Sequence, residues 1–386
     1  MLDSIYSRLT RLPRASFFLL GVRGAGKSTW AGRVLPNAHR VDLLDERRHH
    51  DYLGDAGLFA GELAALAPGS WVIVDEVQRI PGLLNEVHRF IESRRLRFAL
   101  LGSSARKLKA AGTNLLAGRA LRKRMYPLTV AELGGDFDPG LALRHGTIPL
   151  VWAAENREAA LEAYVQLYLR EEIRAEALVR NLPGFVRFLP IAALFHGQAI
   201  NIAGIARDAG VARMTVDGYL EILEDTLLVH RLPGYEAKLR VRERKHPKLY
   251  WADPGLVRAV KRQLGPVTAE EKGPLLEGFV LHLLRAHGEE QRLFDDLTYW
   301  APVQAMRTEV DFLLRRGREF VAVEVKASNR FDSSMVQGLR AIAGLRGVVR
   351  RLLVYAGERS LRVDGDIEIW PLRRFSEALA LGRLWP

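Results

Sequence analysis

Between residue 17 and about residue 150 the apolar positions fall in short runs, at 17–21, 40–44, 71–75 and 98–102. Stretches with helical spacing, such as 28–34 and 83–94, separate them. Strands that alternate with crossover helices predict a parallel sheet, hence an α/β unit. From about 153 to 264 the pattern turns mainly helical. Leu161, Tyr164, Val165, Tyr168 and Leu169 recur at helical spacing within an amphipathic stretch at 153–178. Shorter helices follow, then a basic strand pair around 229–251. Gly265-Pro266 and Gly273-Pro274 punctuate the next junction. Beyond it the pattern predicts a helix at 275–286, strands near 297–300, 309–314, 320–325 and 351–355, and a helix within 335–344. This is a second α/β unit. The expected domains are 1–150, 151–264 and 265–386, with no internal repeat and no low-complexity tract.

At 386 residues the chain is too long for one ordinary domain, and its 48% hydrophobic content suffices for real cores. The absence of cysteine excludes disulfides, thiolate metal sites and a cysteine nucleophile. Arg8, Arg11 and Arg14 precede an apolar run at 17–20 that is far shorter than a signal-peptide core. No stretch approaches the roughly 20 apolar residues of a spanning helix. The expectation is a soluble, cytoplasmic protein with no membrane partner. A formal net charge of +12 favours polyanions such as DNA as partners, against the plainer reading of a merely basic surface.

The first chemistry lies in Gly21-Val22-Arg23-Gly24-Ala25-Gly26-Lys27-Ser28, a complete Walker A pattern between an apolar strand and a helix. Glycines let such a loop fold tightly and turn its N–H groups onto phosphate oxygens. The expected nucleotide-binding residues are Gly21, Gly24, Ala25, Gly26, Lys27, Ser28 and Thr29. Lys27 reaches the β- and γ-phosphates, Ser28 offers a hydroxyl to Mg²⁺, and the helix contributes its positive end. Trp71-Val72-Ile73-Val74 then forms a buried strand ending in Asp75 and Glu76. Asp75 is placed to hold Mg²⁺ and Glu76 to deprotonate the attacking water. A third strand, 98–101, ends in Gly102-Ser103-Ser104, so Ser103 is expected beside the γ-phosphate as a sensor. Arg119 is a candidate arginine finger. Arg122, Lys123 and Arg124 follow it closely, so a solvated or nucleic-acid-facing basic helix is the competing expectation there.

Four segments occur in order: Gly21 to Ser28, Val74-Asp75-Glu76-Val77-Gln78 with Pro81, Leu101-Gly102-Ser103-Ser104-Ala105-Arg106, and Asn114-Leu115-Leu116-Ala117-Gly118-Arg119. Tyr126-Pro127-Leu128-Thr129 with Glu132-Leu133, and Lys248-Leu249-Tyr250-Trp251-Ala252-Asp253 with Gly255-Leu256, continue the pattern. Nearly the whole chain thus resembles the prokaryotic AAA+ ATPases of the AAA_14 type that carry a C-terminal DUF4143 region. The resemblance implies ATP and Mg²⁺ as cofactors and a homo-oligomer whose neighbouring subunit completes the site.

In the middle region, 202–209, Gly210 and 213–225 read as helix, turn, helix. Thr215, Asp217 and Tyr219 lie where a helix-turn-helix presents side chains to a groove. The basic segment 238–245 is the expected wing, touching phosphates. The alternative is a structural connector or protein contact.

In the last unit, Glu309-Val310-Asp311 precedes 320–326, where period two puts Glu324 and Lys326 on one strand face. A hairpin through 315–318 brings Asp311 beside them, and Glu277 lies on the preceding helix. Asp311 and Glu324 would hold divalent cations, Glu277 would complete the shell, and Lys326 would stabilise charge. The arrangement is similar to the PD-(D/E)XK nuclease core, a restriction-endonuclease-like α/β fold, with Val310 where a proline usually stands. Gln337 is a possible accessory ligand. His49, His50, His196, His230 and His246 read as ordinary core or surface histidines.

The expected function is an ATP-hydrolysing AAA+ protein acting on DNA, with turnover driving or gating a winged-helix and nuclease-like half. The alternative is an ATP-dependent switch that binds a protein partner, its nuclease-like fold an inert scaffold.

Overall fold

The computed structural model describes residues 6–104, 116, 118–169, 181–236, 246–302 and 308–386, and only the backbone of 167–169. Strands β1 (Phe17–Leu20), β2 (His39–Asp42), β3 (Trp71–Asp75), β4 (Arg97–Gly102) and β5 (Leu121–Arg124) form one sheet. Their order is β2-β3-β4-β1-β5, and every pairing is parallel. Alternate residues feed two cores: Phe17, Leu19, Ile73, Ala99 and Leu101 on one face, and Phe18, Leu20, Val72, Val74, Phe98 and Leu100 on the other. The three central strands, β3, β4 and β1, are buried on both faces and so are nearly unbroken apolar runs, whereas the edge strands β2 and β5 carry polar residues.

This parallel sheet is the α/β unit that the alternating pattern predicts. Because β4 lies between β1 and β3, whatever follows β4 is held between the loop after β1 and the carboxylates after β3.

Arg122, Lys123 and Arg124 do not form a helix. They lie in the edge strand β5, paired with β1. Lys123 is bonded to Glu290 at 2.7 Å and Arg124 faces Glu289 at 3.6 Å, so both basic groups are committed within the fold.

The amphipathic stretch begins later than its pattern predicts. Pro149–Trp152 is a separate short helix, and Arg157–Ala163 starts afresh from Asn156, whose side chain accepts the Ala159 N–H. It runs on as a π-helical turn at Tyr164–Leu169, and the rest of the predicted helix lies outside the described residues. Helices Leu182–Leu194, Ile202–Ala209 and Arg213–Asp225 follow. Phe185, Phe188, Tyr219 and Trp251 join the core on the first sheet's β1 face. Strand β8 (Lys248–Trp251) is the centre of a small antiparallel sheet, between β6 (Gln198–Ala199) and β7 (Val229–Leu232). The basic segment 238–245 lies outside the described residues.

Helix Ala269–Gln291 carries straight through Gly273-Pro274, because a reciprocal cap between Thr268 and Glu271 starts it upstream. It packs on a six-stranded mixed sheet, β13-β14-β12-β11-β10-β9. The strands are β9 (Asp296–Trp300), β10 (Val310–Arg316), β11 (Glu319–Lys326), β12 (Val348–Tyr355), β13 (Leu361–Val363) and β14 (Ile367–Pro371). The last two strands and helix Leu372–Ala380 extend the unit beyond what the pattern predicted. The Tyr299 N–H donates to Pro233 O and the Tyr235 N–H to Tyr299 O, which fastens the end of β7 to edge strand β9. Among the described residues no helix is long and apolar enough to cross a membrane.

Candidate functional site

The loop after β1 is built around close backbone approaches. A Cβ on Gly21 would lie 2.4 Å from the Met125 carbonyl oxygen, and Gly24 and Gly26 take left-handed φ values of 74° and 85°. Only glycine meets both demands cheaply. Helix Lys27–Val34 starts from Gly26, so its first N–H groups point into the loop. Lys27 is buried and its ammonium donates to Gly21 O at 2.8 Å and Val22 O at 3.2 Å.

Asp75 and Glu76 leave β3 at the same end. Burial raises the Asp75 pKa, opposed by the hydrogen bond with Ser28 and by the nearby Lys27 ammonium. A hydroxyl and a carboxylate already in contact are a fitting pair of oxygen donors for Mg²⁺. Glu76 has a left-handed φ of 54°, uncommon for a residue with a Cβ, and its N–H donates to Asp75 Oδ1 at 3.0 Å. Gln78 Nε2 donates to the Glu76 carboxylate and, at 3.1 Å, to Ser103 Oγ. Ser103 Oγ in turn donates to Glu76 Oε2 at 3.4 Å. The strand order therefore brings together Lys27, Ser28, Asp75, Glu76 and Ser103, which are 76 positions apart at the extremes.

A cavity of about 600 Å³ opens beside these groups, lined among others by Gly24, Lys27, Ser28, Thr29 and Glu76, with Tyr6, Arg8, Leu128, Leu150 and Ala153. That volume suits a nucleotide.

Two contributors carry no sequence motif. Arg8 sits against the loop: Nη1 donates to Ala25 O at 2.5 Å, Nη2 to Tyr126 O at 2.6 Å and Nε to Glu132 Oε1 at 2.9 Å. Burial acts upward on the Glu132 pKa, but Arg8 outweighs it and leaves it below the usual carboxylate value. Thr129 and Glu132 form a reciprocal cap, which explains why the Tyr126-to-Leu133 segment matters to the nucleotide loop. Gln78 is the second, visible in sequence only as part of a family pattern. Arg119 lies outside this group: its guanidinium pairs with Glu92 and it is partly exposed.

The C-terminal carboxylates converge as well, but around an amine. Lys248, from β8, lies 3.2 Å from Glu277 Oε1, 3.1 Å from Glu309 Oε1 and 3.5 Å from Asp311 Oδ1. Burial alone would lower its pKa, but the three carboxylates hold it well above the usual ammonium value. Asp311 Oδ2 accepts the Val325 N–H at 2.9 Å, and Tyr250 OH donates to Glu277. Glu324 pairs with Lys326, while its second oxygen is buried without a partner. Burial and the adjacent Asp311 raise Glu277 to about 7 and Glu324 to about 8.

These residues do not fit a divalent ion as they stand. The oxygens that would bind it are shared with the Lys248 and Lys326 ammonium groups, the Tyr250 hydroxyl and the Val325 N–H. Gln337 is exposed; the residue packed against the cluster is Gly338, where a Cβ would lie 3.4 Å from Glu324 Oε2. The one group of metal-type ligands within 4.8 Å of one another, among the described residues, is Glu46, His49 and His50, and there Arg79 takes Glu46.

Of the three helix-turn-helix residues expected at a groove, Tyr219 turns into the core, while Thr215 is half-buried and Asp217 exposed. Tyr219 is buried and its hydroxyl donates to Asn181 O. Asp217 is exposed, and Glu221, Glu224 and Asp225 share its helix with a single basic residue, Arg213; Glu224 pairs with Arg231. His196 is a core residue whose Nδ1 accepts the Trp251 N–H; burial holds its pKa down to about 3.

Residues 13–134 match the AAA domain family AAA_14, residues 141–266 the domain of unknown function DUF8612, and residues 272–375 the domain of unknown function DUF4143. An uncharacterized protein of Mycobacterium tuberculosis is 30% identical over 378 residues, spanning 95% of this chain and 82% of that protein. An uncharacterized protein of Haemophilus influenzae is 22% identical over 335 residues, spanning 79% of this chain and 80% of that one. Among solved structures, the ORC2 protein of Aeropyrum pernix is similar at 14% identity and a TM-score of 0.35, over 65% of this chain and 88% of that chain.

Proposed function

The chain belongs to the family of P-loop ATPases that join an AAA_14 domain to a C-terminal DUF4143 region, and on that premise we propose that it hydrolyses ATP to act on DNA. The observation that carries the ATPase reading is the network Gln78–Glu76–Ser103 set beside Lys27, Ser28 and Asp75. In this reading the loop N–H groups and Lys27 bind the β- and γ-phosphates. Ser28 and Asp75 hold Mg²⁺, which supplies charge neutralisation on the phosphates. Glu76 takes a proton from the attacking water, oriented by Gln78, and Ser103 contacts the γ-phosphate. Arg119 would leave Glu92 to serve a neighbouring subunit of a homo-oligomer, a role that predicts turnover rising with protein concentration and lost in Arg119→Ala.

DNA as the partner is supported by the net charge of +12, with contact through phosphates rather than bases. The acidic second helix of the helix-turn-helix and the amine among the C-terminal carboxylates favour a second reading. In it ATP controls a protein partner, and the C-terminal domain is a scaffold. Turnover measured with and without duplex DNA across a salt series separates them. DNA binding that weakens steeply with salt supports the first. No binding at low salt sinks it, and turnover indifferent to DNA but altered by a protein partner supports the second. Glu76→Gln serves as the control; unchanged turnover in that variant would remove Glu76 from its role.

A further inference from the structure

We propose that Lys248 is a tethered counter-cation that stands where a divalent ion would otherwise sit, and that it keeps the acids around it, Glu277, Glu309 and Asp311, closed to metal. The inference rests on the C-terminal cluster alone and holds whether or not the protein turns over ATP.

Three carboxylates from two elements of one domain point at a single ammonium that comes from another sheet. Lys248 and Asp311 have side chains only 5% exposed, so water contributes little to balancing either charge. A buried group of acids needs a compensating cation. Here the amine supplies it: the ammonium sits at hydrogen-bonding distance from Glu277 and Glu309, 3.5 Å from Asp311, and over the Tyr299 ring at 5.5 Å. An ion of the Mg²⁺ or Mn²⁺ class in the same place would need those oxygens at roughly 2.0–2.2 Å, unprotonated and free of other donors. The ammonium, the Tyr250 hydroxyl on Glu277 and the Val325 N–H on Asp311 occupy them instead.

Next to these acids, Glu324 is 6% exposed, pairs with Lys326 through one oxygen and buries the other. Removing the one amine that reaches three carboxylates therefore leaves buried oxygen donors without their cation.

The position of Lys248 also decides what closes the cluster. β8 is the central strand of the small sheet, and that sheet is fastened to β9 through Pro233, Tyr235 and Tyr299. The amine is held in the cluster by the docking of one sheet on the other, not by local sequence.

The test is Mn²⁺ binding to the full chain without nucleotide, followed by electron paramagnetic resonance of the free ion. Wild type is expected to show no Asp311-dependent site. Lys248→Met is expected to bind one Mn²⁺ at least about 30-fold more tightly, since affinity follows the ligand charge left uncompensated. The gain should vanish in Lys248→Met/Asp311→Asn, which separates it from any ion taken up by Glu46, His49 and His50. Lys248→Gln, which keeps a polar end, is the second variant if the methionine variant does not fold. Wild-type Mn²⁺ binding that is lost in Asp311→Asn would overturn the proposal. So would neutral, folded Lys248 variants that bind no more Mn²⁺ than wild type.

Discussion

Gln78 Nε2 and Ser103 Oγ are hydrogen-bonded at 3.1 Å, linking the turn after β3 to the end of β4 across the mouth of the phosphate loop. The same nitrogen donates to Glu76, whose backbone is held in the left-handed region. Strained backbone persists where surrounding contacts over-determine it, and here Gln78 and Asp75 do so.

Gln78→Ala should lower kcat about tenfold with KM within about twofold, the equivalent of about 1.4 kcal/mol of orientation. Glu76→Gln should cost about 100-fold or more while leaving ATP binding intact, as expected for loss of a general base. Steady-state kinetics with a fluorescent-nucleotide titration check both. A Gln78→Ala effect confined to KM would contradict its orienting role.

Gly21→Ala should abolish nucleotide binding and lower stability by about 1–3 kcal/mol, because the new Cβ meets the Met125 carbonyl at 2.4 Å and backbone must shift. Isothermal titration and thermal melting follow the two effects.

Arg8→Met should destabilise the fold by about 3–5 kcal/mol, since Glu132 would remain buried without its partner. The double variant Arg8→Met/Glu132→Met should recover most of that loss while still binding ATP poorly. Failure of the double variant to recover stability would place the role of Arg8 in its contacts with Ala25 and Tyr126 instead.

Glu324 carries a pH signature. Its folded pKa of about 8 lies above the ordinary value of 4.5, so between those values the folded chain binds the extra proton. Stability contributed by this group is full below pH 4.5 and is lost as pH rises through 8. Glu324→Gln mimics the protonated form, so the variant should gain on wild type as pH rises from 5 to 8 and the difference should level off above that. Paired melting curves across that range give the difference, and a constant difference would mean that Glu324 is ionised throughout.

Much of the nucleotide site was legible in the chain itself. Lys27 and Ser28 must follow a glycine loop, and Asp75 and Glu76 must end an apolar strand, because each requirement is local: a tight backbone, a helix start, a period-two run. The alternation of strands and helices likewise determined a parallel sheet, and Asp311, Glu324 and Lys326 announced themselves through strand period and a hairpin. Arg8 had no such signal. It reaches the loop from outside the sheet, held by a glutamate 124 residues away. The basic run at β5 had the composition of a solvated helix, but pairing with β1 and the acids of a distant helix decided otherwise. Tyr219 had the spacing of a recognition residue, and packing turned it into the core. The charge opposite the C-terminal acids comes from Lys248, whose amine arrives from a different sheet. Local chemistry fixes what a residue is able to do; which charge lies opposite it depends on how sheets dock, and no spacing along the chain records that.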